Sequence, residues 1–152
     1  MEWFSLVSTL VGGMIAAVAA LLVETRRWKR ERSNQHSEVL RTLYGSYLAS
    51  LTQARHTCSA LARDPDASLA ARRSAIHTAF DPCNALRAQM TIVAPRGLVD
   101  PSRRAYFDLQ EFGDRIAEGL SLEDPEYGVR RTRHDQVLTV LIDAMRQDLD
   151  EG

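Results

Sequence analysis

Apolar and polar positions follow two different registers along this chain. From Trp3 to Val23, 21 consecutive positions carry no charged side chain, so a helix there is apolar on every face. At about 1.5 Å per residue the run extends roughly 31 Å, the hydrocarbon thickness of a bilayer. Beyond residue 37 the apolar residues recur at intervals of three and four, and no alternating strand pattern or hairpin-turn signal interrupts them. The expected fold class is therefore all-α. An N-terminal transmembrane helix, residues 3–23, continues through a basic stalk, 24–37, into an antiparallel up-and-down four-helix bundle, 38–152.

Proline divides the bundle. Four of the five prolines follow aspartate, at positions 65, 82, 101 and 125. Asp before Pro is a natural N-cap with Pro at the first helical position, so each pair is expected to mark a helix start or a turn. The first helix is expected to reach about Arg63, with a stripe through Val39, Leu40, Leu43, Tyr47, Leu51, Ala54, Cys58 and Leu61. A second spans about Ala67 to Val93, with Leu69, Ile76, Phe80, Cys83, Leu86, Met90 and Val93 on one face and a kink or restart at Pro82. A third runs from about Ser102 to Leu122 on Tyr106, Leu109, Phe112, Ile116 and Leu120. The fourth runs from about Arg130 to Leu149 on Val137, Leu138, Leu141, Ile142, Met145 and Leu149. Gly45, between Tyr44 and Tyr47, costs about 1 kcal/mol in a helix unless close packing offsets it, which predicts that a neighbouring helix or a second copy of the chain crosses there.

Charge orients the anchor. Arg26, Arg27, Lys29, Arg30 and Arg32 follow the apolar run, whereas only Met1 and Glu2 precede it. A secretory signal peptide has the reverse polarity, so the small-residue pattern Ala17-Val18-Ala19 is not read as a cleavage site. The bias of basic residues toward the cytoplasmic side predicts a plasma-membrane protein with its N-terminus outside and residues 24–152 in the cytoplasm. Trp3, Phe4 and Trp28 fall where aromatic rings favour the headgroup layer. The expected lipid-binding residues are Arg26, Arg27, Trp28, Lys29, Arg30 and Arg32, each basic group being attracted to anionic lipid by about 1 kcal/mol. A stalk of about 21 Å holds Arg96, Arg103 and Arg104 beyond the Debye length, so the stem and not the bundle is expected to touch lipid. Small residues repeat along the anchor at Ser8, Gly12, Ala16 and Ala20, and one step on at Gly13 and Ala17. That face is expected to drive transmembrane association, giving a homo-oligomer.

Net charge is −1 overall but uneven: residues 24–63 hold eight basic and three acidic groups, residues 100–152 seven and thirteen. The acidic far end argues against nucleic acid as a partner. Two cysteines, Cys58 and Cys83, are too few for a disulfide framework. Turning the first two helices back on each other at Pro65 separates the cysteines by eleven residues, roughly 16 Å along the axis, too far for a bridge.

Chemical signatures are sparse. His36, His56, His77 and His134 stand singly, with no paired ligand spacing for zinc, and His134-Asp135 has no neighbouring nucleophile and reads as a surface helix start. Glu123, Asp124 and Glu126 lack the spacing of a calcium loop. Arg130, Arg131 and Arg133 are expected to be balanced by those nearby acids. No catalytic residue, no cofactor and no metal ligand is assigned.

Trp3 before Gly12-Gly13, the Arg26-Arg27-Trp28 stem, Tyr44 to Leu48 and the closing Ala144-Met145-Arg146-Gln147-Asp148-Leu149 resemble a group of uncharacterised actinobacterial single-pass membrane proteins. Eighteen arginines against one lysine, with nineteen alanines, fit a GC-rich coding bias. The resemblance implies a helical cytoplasmic domain on one anchor and transfers no activity. The expected function is non-enzymatic: a membrane-anchored bundle that self-associates or scaffolds an unknown cytoplasmic protein. The alternative is a membrane effector that oligomerises and perturbs the bilayer on a signal.

Overall fold

The computed structural model describes residues 35–151, and every regular element among them is α-helical. The expected transmembrane helix, the basic stem and nearly all of the stalk lie outside the described residues. So do the transmembrane-association residues Ser8, Gly12, Gly13, Ala16, Ala17 and Ala20 and the lipid-binding residues Arg26, Arg27, Trp28, Lys29, Arg30 and Arg32. Among the described residues no helix is long and apolar enough to cross a membrane.

The bundle belongs to a compact unit, Val39–Gly152. Its helices are α1, helical over the described residues 35–63, α2 (Leu69–Val93), α3 (Arg96–Ala117) and α4 (Pro125–Glu151). Tertiary contacts fix their directions. Tyr44, Arg55 and Ser59 of α1 meet Asp148, Asp135 and Tyr127 of α4 in descending order. Asp108, Glu111 and Arg115 of α3 likewise meet Arg133, Arg130 and Glu126 of α4. The start of α2 meets the end of α3 through Arg72. Each of these pairs is antiparallel, whereas α1 and α3 run the same way, with Tyr47 near Ser102 and Ala62 near Leu122.

The core follows the heptad-like stripes. Tyr47, Leu51, Ala54 and Cys58 of α1 are sealed against Cys83 and Met90 of α2, Leu109, Phe112 and Ile116 of α3, and Leu141 of α4. Val39, Leu69 and Val93, expected in the stripes, are exposed because they lie at helix ends where no neighbour covers them. Both cysteines are free and buried, and burial pushes the Cys58 thiol up to about 12. Three tyrosines stitch α1 to its neighbours. The Tyr47 hydroxyl donates to Ser102 O at 2.9 Å, Tyr44 to Asp148 at 2.7 Å, and Tyr127 to Ser59 at 3.1 Å.

Pro101 differs from expectation, since it lies inside a continuous helix, and Pro82 lies inside α2 without restarting it. A proline in a helix interior costs about 3 kcal/mol. Burying an apolar side chain contributes about 1.5–3 kcal/mol, and Ile76, Phe80, Cys83 and Met90 hold α2 to the core on both sides of Pro82. The other two Asp-Pro pairs do mark boundaries: Pro65 lies in the α1–α2 turn and Pro125 opens α4. Helix α4 thus begins five residues before Arg130, which brings Tyr127 into the core against Phe112, with ring centroids 5.4 Å apart. Among the described residues no neighbouring helix crosses at Gly45, for a Cβ there would meet nothing within 4 Å. The close approach is at Gly113 of α3, whose missing side chain admits Phe80 and Ile76.

An ion-pair ladder closes the α3–α4 seam. Arg115 grips Glu126 with two hydrogen bonds, 2.9 and 3.0 Å, and also Glu118, while Arg130 donates to Glu126 at 2.6 Å and pairs with Glu111 at 3.0 Å. These guanidinium groups, Arg115 first, draw the Glu126 carboxyl down from 4.5 to about 2, and Arg130 lowers Glu111. A carboxylate held below its ordinary value stabilises the fold above that value and loses its contribution as pH falls through the lowered one. Asp114, raised by burial, acts in the opposite direction. With Glu111, Asp124 and Glu126 all lowered, the melting temperature is expected to fall steadily from pH 4.5 toward pH 2. A thermal melt by circular dichroism across that range checks it.

Candidate functional site

Chemistry-bearing side chains concentrate where α3 and α4 diverge toward solvent. Successive turns of α3 present Asp100, Arg103, Arg104, Phe107 and Glu111 along one edge, because residues three and four apart share a helix face. Arg133 and Val137 on α4 complete a groove of about 460 Å³. Phe107 is 47 % exposed, and Val140, one turn beyond Val137 on α4, is 62 % exposed. Single exposed apolar residues are ordinary, but an aromatic ring flanked by arginines and a valine stripe is a recognisable contact surface.

The charges in this groove are not equally occupied. Glu111 is taken by Arg130, and Asp108 by Arg133, whose Nε donates to Oδ1 at 2.7 Å. Among the described residues Arg103 and Arg104 have no hydrogen-bond or ion-pair partner. Asp100, also without a partner among the described residues, shares the groove, so two free guanidinium groups and one free carboxylate stand beside the exposed ring, a net positive rim over an apolar floor. Behind it, Arg87 of α2 lies over the rings of Tyr106 and Phe107, with its guanidinium carbon 4.7 and 5.3 Å from their centroids. This cation–π stack fixes the Phe107 ring from within.

Beneath the groove lies an unusual buried group. His134 of α4 has no exposed surface, and neither ring nitrogen makes a hydrogen bond. Its Nδ1 stands 3.4 Å from Asp108 Oδ2, at ion-pair distance but without hydrogen-bond alignment. The Asp108 side chain is itself only 8 % exposed. Burial holds the His134 pKa below 6.5, with Asp108 and Asp135 pulling upward and Arg55 downward. His134 was expected on the surface, and the structure corrects this. It falls on the core phase of α4 with Tyr127, Leu138, Leu141 and Met145, so packing carries it inside.

The other histidines are exposed, and His77 pairs loosely with Asp81 at 3.7 Å. A smaller cleft of about 360 Å³ beside them, between α2 and α3, has Phe80 and Tyr106 at its floor and Asp81 and Asp114 at its rim. A third, between α1 and α2, is lined by short neutral side chains such as Ala71, Ser74 and Ala75. No cluster of three or more His, Cys, Asp or Glu side chains able to hold a metal ion occurs among the described residues. None of the site residues assigned from sequence belongs to these surfaces, since all lie within residues 1–34. The groove residues went unassigned because only the register of α3 against α4 unites them. The arginine pair beside Phe107 was the one local signal. No family model, curated protein or solved structure matches this chain.

Proposed function

We propose that the protein is a non-enzymatic scaffold, tethered at the cytoplasmic face of the plasma membrane by residues 3–23, that docks an acidic helical segment of a partner protein in the α3–α4 groove. The observation that carries this reading is the pair of partnerless arginines, Arg103 and Arg104, set beside the exposed Phe107. An amphipathic partner helix would lay its apolar face on Phe107, Val137 and Val140 and its carboxylates against the arginines, the familiar helix-in-groove geometry. Arginine suits this task because its planar fork binds a carboxylate through two hydrogen bonds.

Asp108 and His134 raise the question of general-base chemistry, and their geometry argues against it. A base must come within hydrogen-bond reach of its substrate. His134 is sealed and forms no wall of the groove. Asp108 is already committed to Arg133. His134 therefore acts on the groove from beneath it, through Asp108 in its wall.

Reversing both charges, R103E with R104E, is expected to reduce partner recovery at least tenfold in crosslinked native membranes, with the thermal melt unchanged because neither residue is paired. Full recovery by the double variant would defeat the docking proposal. Recovery of a second copy of this chain in place of another protein would keep the scaffold and identify the occupant. Protease treatment of intact protoplasts tests the tether, the bundle being protected if it faces the cytoplasm.

A further inference from the structure

Asp108 is a single carboxylate placed between a groove arginine and a buried histidine, and that placement has consequences for the groove. Oδ1 accepts from Arg133 Nε at 2.7 Å, while Oδ2 lies 3.4 Å from His134 Nδ1. A neutral imidazole carries one donor and one acceptor, and in His134 both are buried and unused. Such a group is rare in native proteins and calls for an explanation. Arg133 is different: its side chain is 62 % exposed and free to swing into solvent.

We infer that protonation of His134 neutralises the charge of Asp108 through Oδ2 and so leaves the charge of the Arg133 guanidinium uncompensated in the α3–α4 groove. This rests on the docking role proposed above and adds its regulation. With His134 neutral, Asp108 cancels Arg133, and the free charges at the rim are those of Arg103, Arg104 and Asp100. With His134 protonated, Nδ1–H donates to Asp108 and the buried pair is neutral as a unit. Arg133 then becomes a third free cation beside Phe107. Acidic partners bind more tightly in the second state.

The groups that act on the imidazole come from three helices. Asp108 on α3 and Asp135 on α4 favour the cation, and Arg55 on α1 opposes it from its 2.6 Å pair with Asp135. Arg133 on α4 reaches His134 only through Asp108. Burial is the largest influence and opposes charging, so the transition lies below 6.5, the ordinary value for histidine. The sign is then fixed. At pH 7 the imidazole is neutral and the groove is in its weaker state, and acidification moves it to the stronger one.

The test uses the full chain in lipid nanodiscs and a sulfated oligosaccharide as probe, since its charge is constant between pH 5 and 8. Affinity is expected to rise about fivefold as pH falls from 7.5 through the His134 transition, the effect of one added charge at close range in water. H134N and R133Q should each abolish that rise. The wild-type protein supplies a reading free of folding effects. By NMR the Arg133 Nε–H resonance should move in step with the His134 ring carbons. An Arg133 signal that stays still while His134 titrates, or a full pH response in H134N, overturns the switch. Loss of probe affinity in R103E/R104E with no pH response in the wild type defeats the switch alone. Probe binding indifferent to R103E/R104E defeats the docking role itself.

Discussion

Replacing Arg72 with alanine is expected to destabilise the bundle by about 3 kcal/mol, within the range for removing a buried charged donor from its acceptors. On a domain of this size that lowers the melting temperature by about 10 °C. Arg72 lies at the start of α2, 5 % exposed, yet has no acidic partner. Its guanidinium instead donates to four main-chain oxygens: Asp64 at 2.7 Å, Ala67 at 3.3 Å, and Ile116 and Leu120 at 3.4 Å. Two of these close the α1–α2 turn and two end α3. The carbonyls left open at a helix C-terminus carry partial negative charge, which compensates the buried cation. Alanine would remove the donors to all four oxygens, although Ile116 O keeps its bond from Gly119 N–H at 3.1 Å. R72M separates volume from hydrogen bonding, because it refills the space and restores no donor. R72K keeps the charge but not the planar fork, so it should recover only part. Urea denaturation of the purified chain in detergent measures all three. If R72M proves as stable as wild type, the carbonyl contacts contribute little and the account of this corner is wrong.

Arg72 also shows where reading the sequence succeeds and where it stops. The 3–4 spacing of Ile76, Phe80, Cys83 and Met90 identifies α2 and its buried face, and the same pattern identifies α3 from Tyr106 to Ile116. Helical period is a local property and survives in a single chain. Arg72 stands one turn before Ile76 on that same face, as His134 stands one turn before Leu138. A polar type on an apolar phase looks like the end of a stripe until its partners are known. For Arg72 two of the four are 44 and 48 positions away, and for His134 the carboxylate is 26 positions away. Helix boundaries were harder for another reason. Proline weakens a helix by a fixed local amount, whereas the packing that overrides it at positions 82 and 101 is set by tertiary neighbours. The α3 edge of the groove carried a local signal in Arg103, Arg104 and Phe107, but its α4 wall carried none, because Arg104 and Arg133 become neighbours only once α3 and α4 are placed side by side.

Gly113 gives the second large effect, and it locates the tightest seam of the bundle. A Cβ on Gly113 would lie 3.1 Å from Phe80 Cε2 and 3.2 Å from Ile76 Cγ2, inside ordinary carbon contact. Those atoms have little room to retreat. Phe80 is 5 % exposed and stands edge-on to Tyr106, with centroids 5.9 Å apart and planes at 82°, and Ile76 is 7 % exposed. Alanine at 113 meets two opposing effects, a gain of about 1 kcal/mol in helix propensity and a strain of similar size. G113A is therefore expected within about 1 kcal/mol of wild type. Valine adds two methyl groups to a site already too small for one, and its branched Cβ carries a further helical cost. G113V should lose about 2–3 kcal/mol, the upper part of the range for overpacking a core. The Tyr106 signal in near-ultraviolet circular dichroism should change with it, because displacing Phe80 disturbs the ring pair and the Arg87 stack behind it. A G113V protein with native stability and an unaltered Tyr106 signal would mean that α2 and α3 lie farther apart than the contacts of Gly113 require.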